Sequence, residues 1–570
     1  MEPRISISII RGVNCLKKNA QLVFALVVSL LCWLFFSITG RLYLRPDNLG
    51  VAIVLNGLFG SPMSQYQHPL FCLLINLLSN VFPSADMFTL FVHLMIIAEL
   101  TIIEMILMDA TTIKPLHDWK LPDYIRIMLS ILAVFFLSAG LKVWNANYTI
   151  QAASFVLTGW ITLIYALREK RGTIWIITGT VIAAFGYMLR KEAGMLFIPF
   201  VGLILISEFV ADKQCGYRKD LFFRYVFPCC VTLILLFLSQ TIYNTVEPNA
   251  TAERYNGART TMLDFPINVW DDSFEGVSKA DYIAVSNWML ADTENINADS
   301  LEALAAVAGS YRYPFSMKGF GRALSDMWEI LWKTDVHITV LALLGILIGL
   351  FNLLTQHGMW RKLAAVCGPF GAFIIMLYFT FRGRALINVW VSVLLALMCL
   401  EVVLLTRDDV SDKIRTAFSL VLCVCLYYSA GQAFAHAEFH RIKTVLQSRV
   451  DVDESALEDT IHDDDLYIWP NTMIFRTYGE IDKLPSQRFL EHNVSIGDWS
   501  SGQPYYTSFL ERIGHPNPIR DLVEKDNVYV MSKSDYILNF LREHYGEDID
   551  LVEAGEVNGV TAYRAVRSNE

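Results

Sequence analysis

The segment Leu70–Phe82 reads LFCLLINLLSNVF, and this mainly apolar stretch is only 13 residues long. A helix rises about 1.5 Å per residue, so the segment reaches roughly 20 Å. A bilayer core needs about 20 apolar residues to be crossed. We therefore predict a helix that lies at the membrane surface. This prediction decides the topology of the chain, because a crossing at this point would reverse the side of every later loop.

The composition places most of the chain in lipid. Of the 570 residues, 54% are hydrophobic and 18% are charged, and the mean hydropathy is +0.40. Globular domains carry about 25% charged residues. Apolar runs of spanning length recur, and they predict a polytopic α-helical membrane protein with about eleven transmembrane helices. The runs are Gln21–Thr39, Met87–Met108, Tyr124–Val143, Ile150–Leu167, Thr173–Leu189, Gly194–Val210, Phe223–Ile242, Val336–Thr355, Leu363–Thr380, Leu386–Leu405 and Ala417–Ala435.

Lysine and arginine in short loops predict the orientation of these helices, since such residues concentrate on the cytoplasmic side. A basic group precedes the first run, so we expect a cytoplasmic N-terminus. With Leu70–Phe82 at the surface, the main basic clusters of the later short loops also fall inside. The cytoplasmic residues are Arg4, Arg11, Lys17, Lys18, Lys114, Lys120, Arg168, Lys170, Arg171, Lys213, Arg218, Lys219, Arg361, Lys362, Arg407, Lys413 and Arg415.

The same topology leaves three long pieces outside the membrane. Residues 1–435 form the predicted transmembrane domain, with external loops over 40–86 and 243–335. Residues 436–570 contain short apolar runs separated by turn residues, which is typical of a small α/β domain. The predicted runs there are Leu466–Trp469, Val528–Met531, Tyr536–Leu541, Leu551–Val552 and Val560–Tyr563. We expect this domain to be extracytoplasmic.

Several classes of function are not indicated. The chain has no phosphate-binding glycine loop, no HExxH, no paired CxxC and no GxSxG. We expect no ATPase engine and no nucleic-acid partner. The ten cysteines lie outside the tail and the middle external loop, so no disulfide framework is predicted.

Two residues of the first external loop could carry chemistry. Asp47 lies eight residues beyond the first apolar run, in the stretch LRPDNLG, and it is expected at the boundary between water and lipid. A carboxylate there can accept a proton from an attacking hydroxyl group. His68 precedes Pro69 and could orient a substrate. Both residues also fit ordinary turns, because Pro-Asp-Asn is a common turn sequence and His-Pro often begins a helix.

These motifs resemble the GT-C superfamily of membrane glycosyltransferases, which includes protein mannosyltransferases and aminoarabinose transferases. The resemblance rests on Asp47, on His68-Pro69-Leu70, on Val143–Thr149 (VWNANYT) and on Gly179–Gly194. Two features differ from many members, since Asn48 follows Asp47 and a single proline follows His68. The resemblance implies transmembrane helices, surface helices in the first outer loop and a soluble C-terminal domain.

The resemblance further implies a hexosyl or pentosyl transferase that takes its sugar from a polyprenyl phosphate in the membrane. The acceptor would be a glycan, a lipid or a protein. Asp47 would be the general base of a single, inverting displacement. Four cations on the expected outer side are candidates to bind the donor phosphate or to anchor helix ends at the interface. They are Arg190, Lys191, Arg382 and Arg384, with His68 as a further substrate-binding residue. We expect no cofactor and no essential metal, although a divalent ion stays open.

Two alternatives remain at the level of the sequence. One is a polysaccharide polymerase or ligase that uses polyprenyl-diphosphate glycans. The other is a transporter or flippase, for which the best argument is Glu99, an intramembrane residue of the same apolar run as Glu104 and His93. Glu99 also fits a structural hydrogen-bonding group or part of a polar cavity. Asp271 and Asp272 could add a carboxylate or a metal ligand, or could simply be solvated. For all of these functions we expect a multi-pass protein of the cytoplasmic membrane, and we favour the glycosyltransferase.

Overall fold

The structure is a computed structural model, and it describes residues 3–40, 46–83, 85–109, 121–140, 147–209, 219–264, 270–271, 274–308, 313–333, 336–356, 358–384, 386–405, 464–470, 484–557 and 560–568. Eighteen helices precede the C-terminal domain within these ranges. They are α1 (Pro3–Gly40), α2 (Pro46–Leu55), α3 (Pro69–Val81), α4 (Met87–Asp109), α5 (Leu121–Gly140), α6 (Tyr148–Arg168), α7 (Thr173–Leu189), α8 (Lys191–Leu196), α9 (Ile198–Phe209), α10 (Lys219–Tyr225), α11 (Phe227–Thr245), α12 (Asn249–Leu263), α13 (Lys279–Ser286), α14 (Ala298–Ala308), α15 (Met317–Lys333), α16 (Val336–Thr355), α17 (Met359–Arg382) and α18 (Ile387–Leu405).

The long apolar helices make this chain a multi-pass membrane protein. Seven helices in the described ranges are long and apolar enough to cross a bilayer: Ala20–Ile38, Met87–Met108, Tyr148–Arg168, Phe227–Thr245, Ile338–Thr355, Met359–Arg382 and Ile387–Leu404. The predicted runs at Tyr124–Val143 and Thr173–Leu189 correspond to α5 and α7, and the run at Gly194–Val210 is divided between α8 and α9. The predicted run Ala417–Ala435 lies outside the described residues. The predicted fold class is therefore confirmed, while the count of eleven spans stays a prediction.

The short segment that set the topology is the separate helix α3, with 13 residues. His68 is its N-cap and Pro69 occupies its first turn. Proline is common in the first turn of a helix because its fixed φ suits a helix and because an N–H at this position would have no partner within the helix. The helix keeps its predicted length of roughly 20 Å, which is too short to cross a bilayer. Its position at the membrane surface stays a prediction.

Helices α6 and α7 form a closely packed antiparallel pair. A Cβ atom at Gly186 would lie 2.6 Å from the carbonyl oxygen of Ala152, and one at Gly159 would lie 2.5 Å from that of Gly179. Only glycine allows two helix backbones to approach this closely. The same register brings the first residues of α6 beside the residue that ends α7.

The C-terminal domain contains a five-stranded mixed sheet with helices. Its strands are β1 (Leu466–Trp469), β2 (Asn493–Ser495), β3 (Val528–Val530), β4 (Ile549–Val557) and β5 (Val560–Arg567), in the order β2-β1-β3-β5-β4. Strand β1 pairs in parallel with β2 and β3, and β5 is antiparallel to β3 and β4. The helices are α19 (Gln487–His492), α20 (Pro504–Arg512), α21 (Pro518–Glu524) and α22 (Asp535–Tyr545). The predicted α/β domain is confirmed, although its boundary at residue 436 lies outside the described residues.

The C-terminal domain packs against both predicted external loops. The backbone N–H groups of Leu290 and Ala291 donate to Ile496 O at 3.0 and 2.8 Å. The ring of Phe59 contacts three rings of α20, those of Tyr505, Tyr506 and Phe509. These segments share one apolar core that is distinct from the core of the long helices. We call the end of the helical bundle that contacts this core the domain end.

Candidate functional site

Arg190 lies at the domain end, between α7 and α8. It ends α7 with an extended backbone and begins α8. Its Nη1 donates to Tyr148 Oη at 2.9 Å and to Thr149 Oγ1 at 2.6 Å, and its guanidinium lies 5.1 Å from the Tyr148 ring centroid. Both partners belong to the first turn of α6, which the glycine contacts hold beside α7. The sequence-predicted cation is thus oriented by neutral hydroxyl groups and an aromatic face.

His68 connects three elements of the domain end. Its backbone N–H donates to Met188 O at 2.8 Å, two residues before Arg190. Its Nδ1 accepts from the N–H of Leu70 at 3.2 Å, so the proton of the neutral ring lies on Nε2. Nε2 then donates to Ser239 Oγ at 3.0 Å and Leu236 O at 3.2 Å of α11. Burial lowers the pKa of His68, which keeps the ring neutral. In this structure His68 positions helices, and its substrate-binding role stays a prediction.

Asp47 lies in the first turn of α2, while its side chain lies outside the described residues. The next residue, Asn48, is 3% exposed, and its Oδ1 accepts the backbone N–H of Tyr148 at 3.3 Å. Tyr148 is also the residue that accepts from Arg190. The helix turn that carries the predicted base and the predicted phosphate-binding arginine therefore share one neighbour. The catalytic role of Asp47 stays a prediction.

Lys191 follows Arg190 and lies among carboxylates. Its Nζ is 3.9 Å from Glu192 Oε1 and 3.8 Å from Glu253 Oε1. Glu253 belongs to α12 in the middle loop, and Glu192 also lies 3.6 Å from Arg190 Nε. At these distances the pairs are loose, and partly exposed pairs of this kind contribute little to stability.

The two arginines at the end of α17 have different surroundings. Arg384 Nη2 pairs with Asp264 Oδ2 at 2.5 Å, and Asp264 is the C-cap of α12. Arg382 donates to Tyr378 Oη at 3.2 Å, one turn earlier in its own helix. The structure thus brings Arg190, Lys191 and Arg384 to the two ends of α12 and to the start of α6.

Three site residues have no signal in the sequence. Arg259 of α12 is 5% exposed, and its Nη2 donates to Tyr66 Oη at 2.9 Å and to Asn256 Oδ1 at 2.7 Å. Burial raises the pKa of Tyr66 to about 12, although the charges of Arg259 and Arg190 oppose the shift. Asp264 also acts electrostatically on Tyr66, Arg190 and Arg259. Tyr66, Arg259 and Asp264 belong to the polar sequence of the two external loops. In such sequence, no residue pattern distinguishes a charged side chain that is buried from one that is solvated.

The ionisable residues inside the long helices have nearby partners. Glu99 accepts from the hydroxyls of Ser154 and Thr158 of α6, the latter at 3.0 Å. Glu104 accepts from Ser130 Oγ at 2.9 Å, and His93 Nδ1 accepts from Trp33 Nε1 at 3.1 Å. These bonds join neighbouring helices, which is a common use of polar groups in membranes.

The acidic pair of the middle loop is only partly described. Trp270 packs edge to face against Phe274 and Tyr282, and Asp271 is exposed beside it. Asp272 lies outside the described residues. The predicted alternative roles of Asp271 and Asp272 as a second carboxylate or as metal ligands stay open to experiment.

Comparison with known proteins gave matches among solved structures only. No protein-family model and no curated protein sequence matches the chain. The chain is similar to the crystal structure of ArnT from Cupriavidus metallidurans bound to undecaprenyl phosphate, with 11% identity and a TM-score of 0.45 over 96% of this chain and 98% of that chain. It is similar to the apo structure of the same protein with 13% identity and a TM-score of 0.39 over the same shares.

Proposed function

We propose that this protein is a membrane glycosyltransferase that transfers a sugar from a polyprenyl phosphate to a hydroxyl group of an acceptor glycan, lipid or protein. The observation that supports this most is that Arg190, Lys191 and Arg384 all lie at the domain end, with Arg190 beside the turn that carries Asp47. A cluster of cations at the end of apolar helices suits an anionic headgroup whose chain lies in lipid. We place this end outside the cytoplasmic membrane.

The cations would hold the donor phosphate. Arginine offers a planar fork that matches phosphate oxygens, and lysine adds a point charge. Arg384 pairs with Asp264 and Lys191 lies near Glu253, so these carboxylates occupy positions that an anionic ligand could take. A phosphate would exchange with them. Because these cations can neutralise a single phosphate that displaces the carboxylates, we propose that transfer needs no metal ion.

The reaction would be a single displacement. The acceptor oxygen forms a bond to the anomeric carbon as the bond from that carbon to the phosphate oxygen breaks. The acceptor proton passes to the Asp47 carboxylate, and the electron pair of the broken bond stays on the phosphate, whose charge the arginines stabilise. Attack opposite the leaving phosphate inverts the anomeric configuration.

Separate measurements of binding and turnover test this proposal. Native mass spectrometry of the purified protein is expected to show binding of undecaprenyl phosphate. Because a hydrogen bond to a charged group is worth about 1.5–3 kcal/mol, Arg190→Gln and Arg384→Gln should each weaken binding by roughly 10- to 100-fold. Asp47→Asn should bind the lipid as the wild type does, yet abolish sugar transfer in complemented cells, read by mass spectrometry of envelope glycans and lipids.

A matched control is Arg254→Gln. Arg254 also lies on α12, but it is about half exposed and pairs with Asp299 and Glu302 away from the cluster. This variant should bind undecaprenyl phosphate as the wild type does. The proposal fails if the wild type does not bind the lipid, or if Asp47→Asn keeps full transfer activity.

A further inference from the structure

A seam of hydrogen bonds joins the segment before α3 to the last turns of α11 and the start of α12. Gln65 Nε2 donates to Asn249 O at 3.1 Å at one end of the seam. At the other end, the ring of His68 bonds to Ser239 and Leu236 of α11. The two segments therefore run in opposite directions. Gln67 lies between the two bonded residues in the chain, so its side chain leaves the backbone within this seam.

Three amide side chains are enclosed at this seam. Gln67 is 0% exposed, Gln240 is 2% exposed and Asn244 is 9% exposed. Gln240 and Asn244 are four residues apart and follow Leu236 along the same buried face of α11. Two of the amides thus lie on the buried face of α11, and the third belongs to the segment that is hydrogen-bonded to this helix through Gln65 and His68.

Most polar atoms of these amides lack a partner. Within the part of the chain that the structure describes, no hydrogen bond reaches Oε1 or Nε2 of Gln67, Oε1 or Nε2 of Gln240, or Oδ1 of Asn244. Each buried polar group left unpaired costs about 1–3 kcal/mol. A buried polar group without a protein partner is usually compensated by a bound water, ion or ligand. The atoms are therefore expected to bind another molecule.

The chemistry of the amides narrows what that molecule is. A carboxamide offers donors and an acceptor and carries no charge. A vicinal pair of hydroxyl groups also offers both donors and acceptors, so a neutral polyhydroxylated ring matches a set of amides. An anion would use the donors only, and an apolar chain would use none of the atoms.

The amides adjoin the proposed phosphate site. Asn244 Nδ2 lies 3.5 Å from Glu253 Oε2, and Glu253 is the residue near Lys191. On the other side, the backbone of His68 bonds to Met188, two residues before Arg190. A sugar that is esterified to a phosphate held by Arg190 and Lys191 lies within reach of the seam.

We propose that Gln67, Gln240 and Asn244 form an amide pocket that binds the hydroxyl groups of the donor sugar. This inference rests on the proposed function, and it specifies that the sugar presents neutral hydroxyl groups to α11. The pocket distinguishes a sugar-bearing lipid from the bare polyprenyl phosphate that remains after transfer.

The test compares bare and sugar-bearing lipids. Native mass spectrometry is used with undecaprenyl phosphate and with undecaprenyl phosphate carrying glucose, mannose, galactose or N-acetylglucosamine. The wild type is expected to bind at least one sugar lipid about tenfold more tightly than the bare lipid. Gln67→Met and Gln240→Met keep side-chain length while removing the amide. They should bring that ratio below about threefold, while bare-lipid affinity and melting temperature stay as in the wild type.

Each other outcome has a definite meaning. The amide pocket is refuted if the wild type binds the bare lipid and all sugar lipids equally. It is also refuted if the variants keep the wild-type binding ratio, which would mean that the amides bind only water. In both cases the proposed function stands. If the wild type binds neither kind of lipid, the proposed function itself fails. Should a methionine variant not fold, Asn244→Leu at the edge of the seam replaces it, with the same expected loss of the ratio.

Discussion

Arg384 and Asp264 form an ion pair across the domain end, with Nη2 and Oδ2 2.5 Å apart and side chains 21% and 26% exposed. The pair joins the end of α17 to the end of α12. Asp264 also acts electrostatically on Arg190 and Tyr66, so this carboxylate belongs to the surroundings of the proposed phosphate site. A carboxylate in this position competes with a phosphate for Arg384.

The first prediction follows from this competition. Asp264→Asn keeps the shape of the side chain but removes its charge, so Arg384 becomes available to an anion. A pair that is partly exposed is worth about 1 kcal/mol or less, so undecaprenyl phosphate should bind up to about fivefold more tightly. Native mass spectrometry with Glu294→Gln as control checks this, because Glu294 pairs with Arg520 in a separate exposed contact. Weaker binding in Asp264→Asn would show that Asp264 orients Arg384 for the phosphate.

The second prediction concerns the contact between Gly50 and Trp499. A Cβ atom at Gly50 would lie 2.4 Å from Trp499 Cζ2 in the loop after β2. Gly50 is one helical turn after Asp47, so Gly50→Ala should displace that turn of α2. We expect a loss of roughly 1–3 kcal/mol in stability and a marked fall in transfer activity.

The control for this change is Gly202→Ala in α9, where no atom of the described residues beyond the local helix backbone lies within 4 Å of the added Cβ. It should leave the melting temperature and the transfer activity unchanged or slightly raised, because alanine is the better helix former. Wild-type activity in Gly50→Ala would mean that the contact with the C-terminal domain does not position the Asp47 turn.

Much of the fold could be predicted from the sequence because it depends on local patterns. The length of Leu70–Phe82 predicts a helix too short to cross a bilayer, and α3 has 13 residues. The run at Gly194–Val210 was predicted as one helix, but it divides at Phe197. Pro199 is the second residue of α9. Because proline has no N–H to donate to the preceding turn, it favours the end of one helix and the start of the next at this point.

The candidate site could be predicted only in part. Arg190, Lys191 and Arg384 were recognisable because they break the pattern of charges at helix ends. Tyr66, Arg259 and Asp264 were not, since their burial depends on packing between loops that are nearly 200 residues apart in the chain. The Met188–His68 bond, which links the His-Pro motif to the cations, involves backbone atoms, and no residue pattern encodes it.

The third prediction concerns Tyr148 as the partner of Arg190. Tyr148→Phe keeps the ring under the guanidinium but removes the oxygen that accepts at 2.9 Å. Arg190 then loses one of its two hydroxyl partners and becomes less well oriented. A lost bond to a charged group of about 1.5 kcal/mol corresponds to roughly tenfold weaker binding of undecaprenyl phosphate.

The chain offers a matched control for this variant. Tyr165 lies near the other end of α6 and accepts from Arg171 Nη2 at 2.5 Å, with that guanidinium 5.2 Å from the ring centroid. Tyr165→Phe thus removes a similar bond away from the domain end. It should leave lipid binding unchanged. Equal loss in both variants would indicate a general effect on α6 in place of a role at the site.

The last prediction concerns the pH dependence of the contact between the middle loop and the C-terminal domain. His544 Nε2 of α22 lies 2.7 Å from Asp281 Oδ1 of α13. The hydrogen bond with Asp281 raises the pKa of His544, partly against burial, and the charges of Glu543 and Asp292 add to the increase. The folded protein therefore binds this proton more tightly than the unfolded chain. The stabilisation is complete below the ordinary histidine pKa of about 6.5 and is lost as the pH rises through the raised value.

His544→Gln should thus lower the melting temperature by several degrees at pH 6 and by much less at pH 9. The comparison variant is His515→Gln. Burial lowers the pKa of His515, and its described contacts with Asp521 and Lys525 lie within the C-terminal domain. If the melting temperature of His544→Gln is lowered equally at both pH values, the pair acts through a neutral hydrogen bond alone.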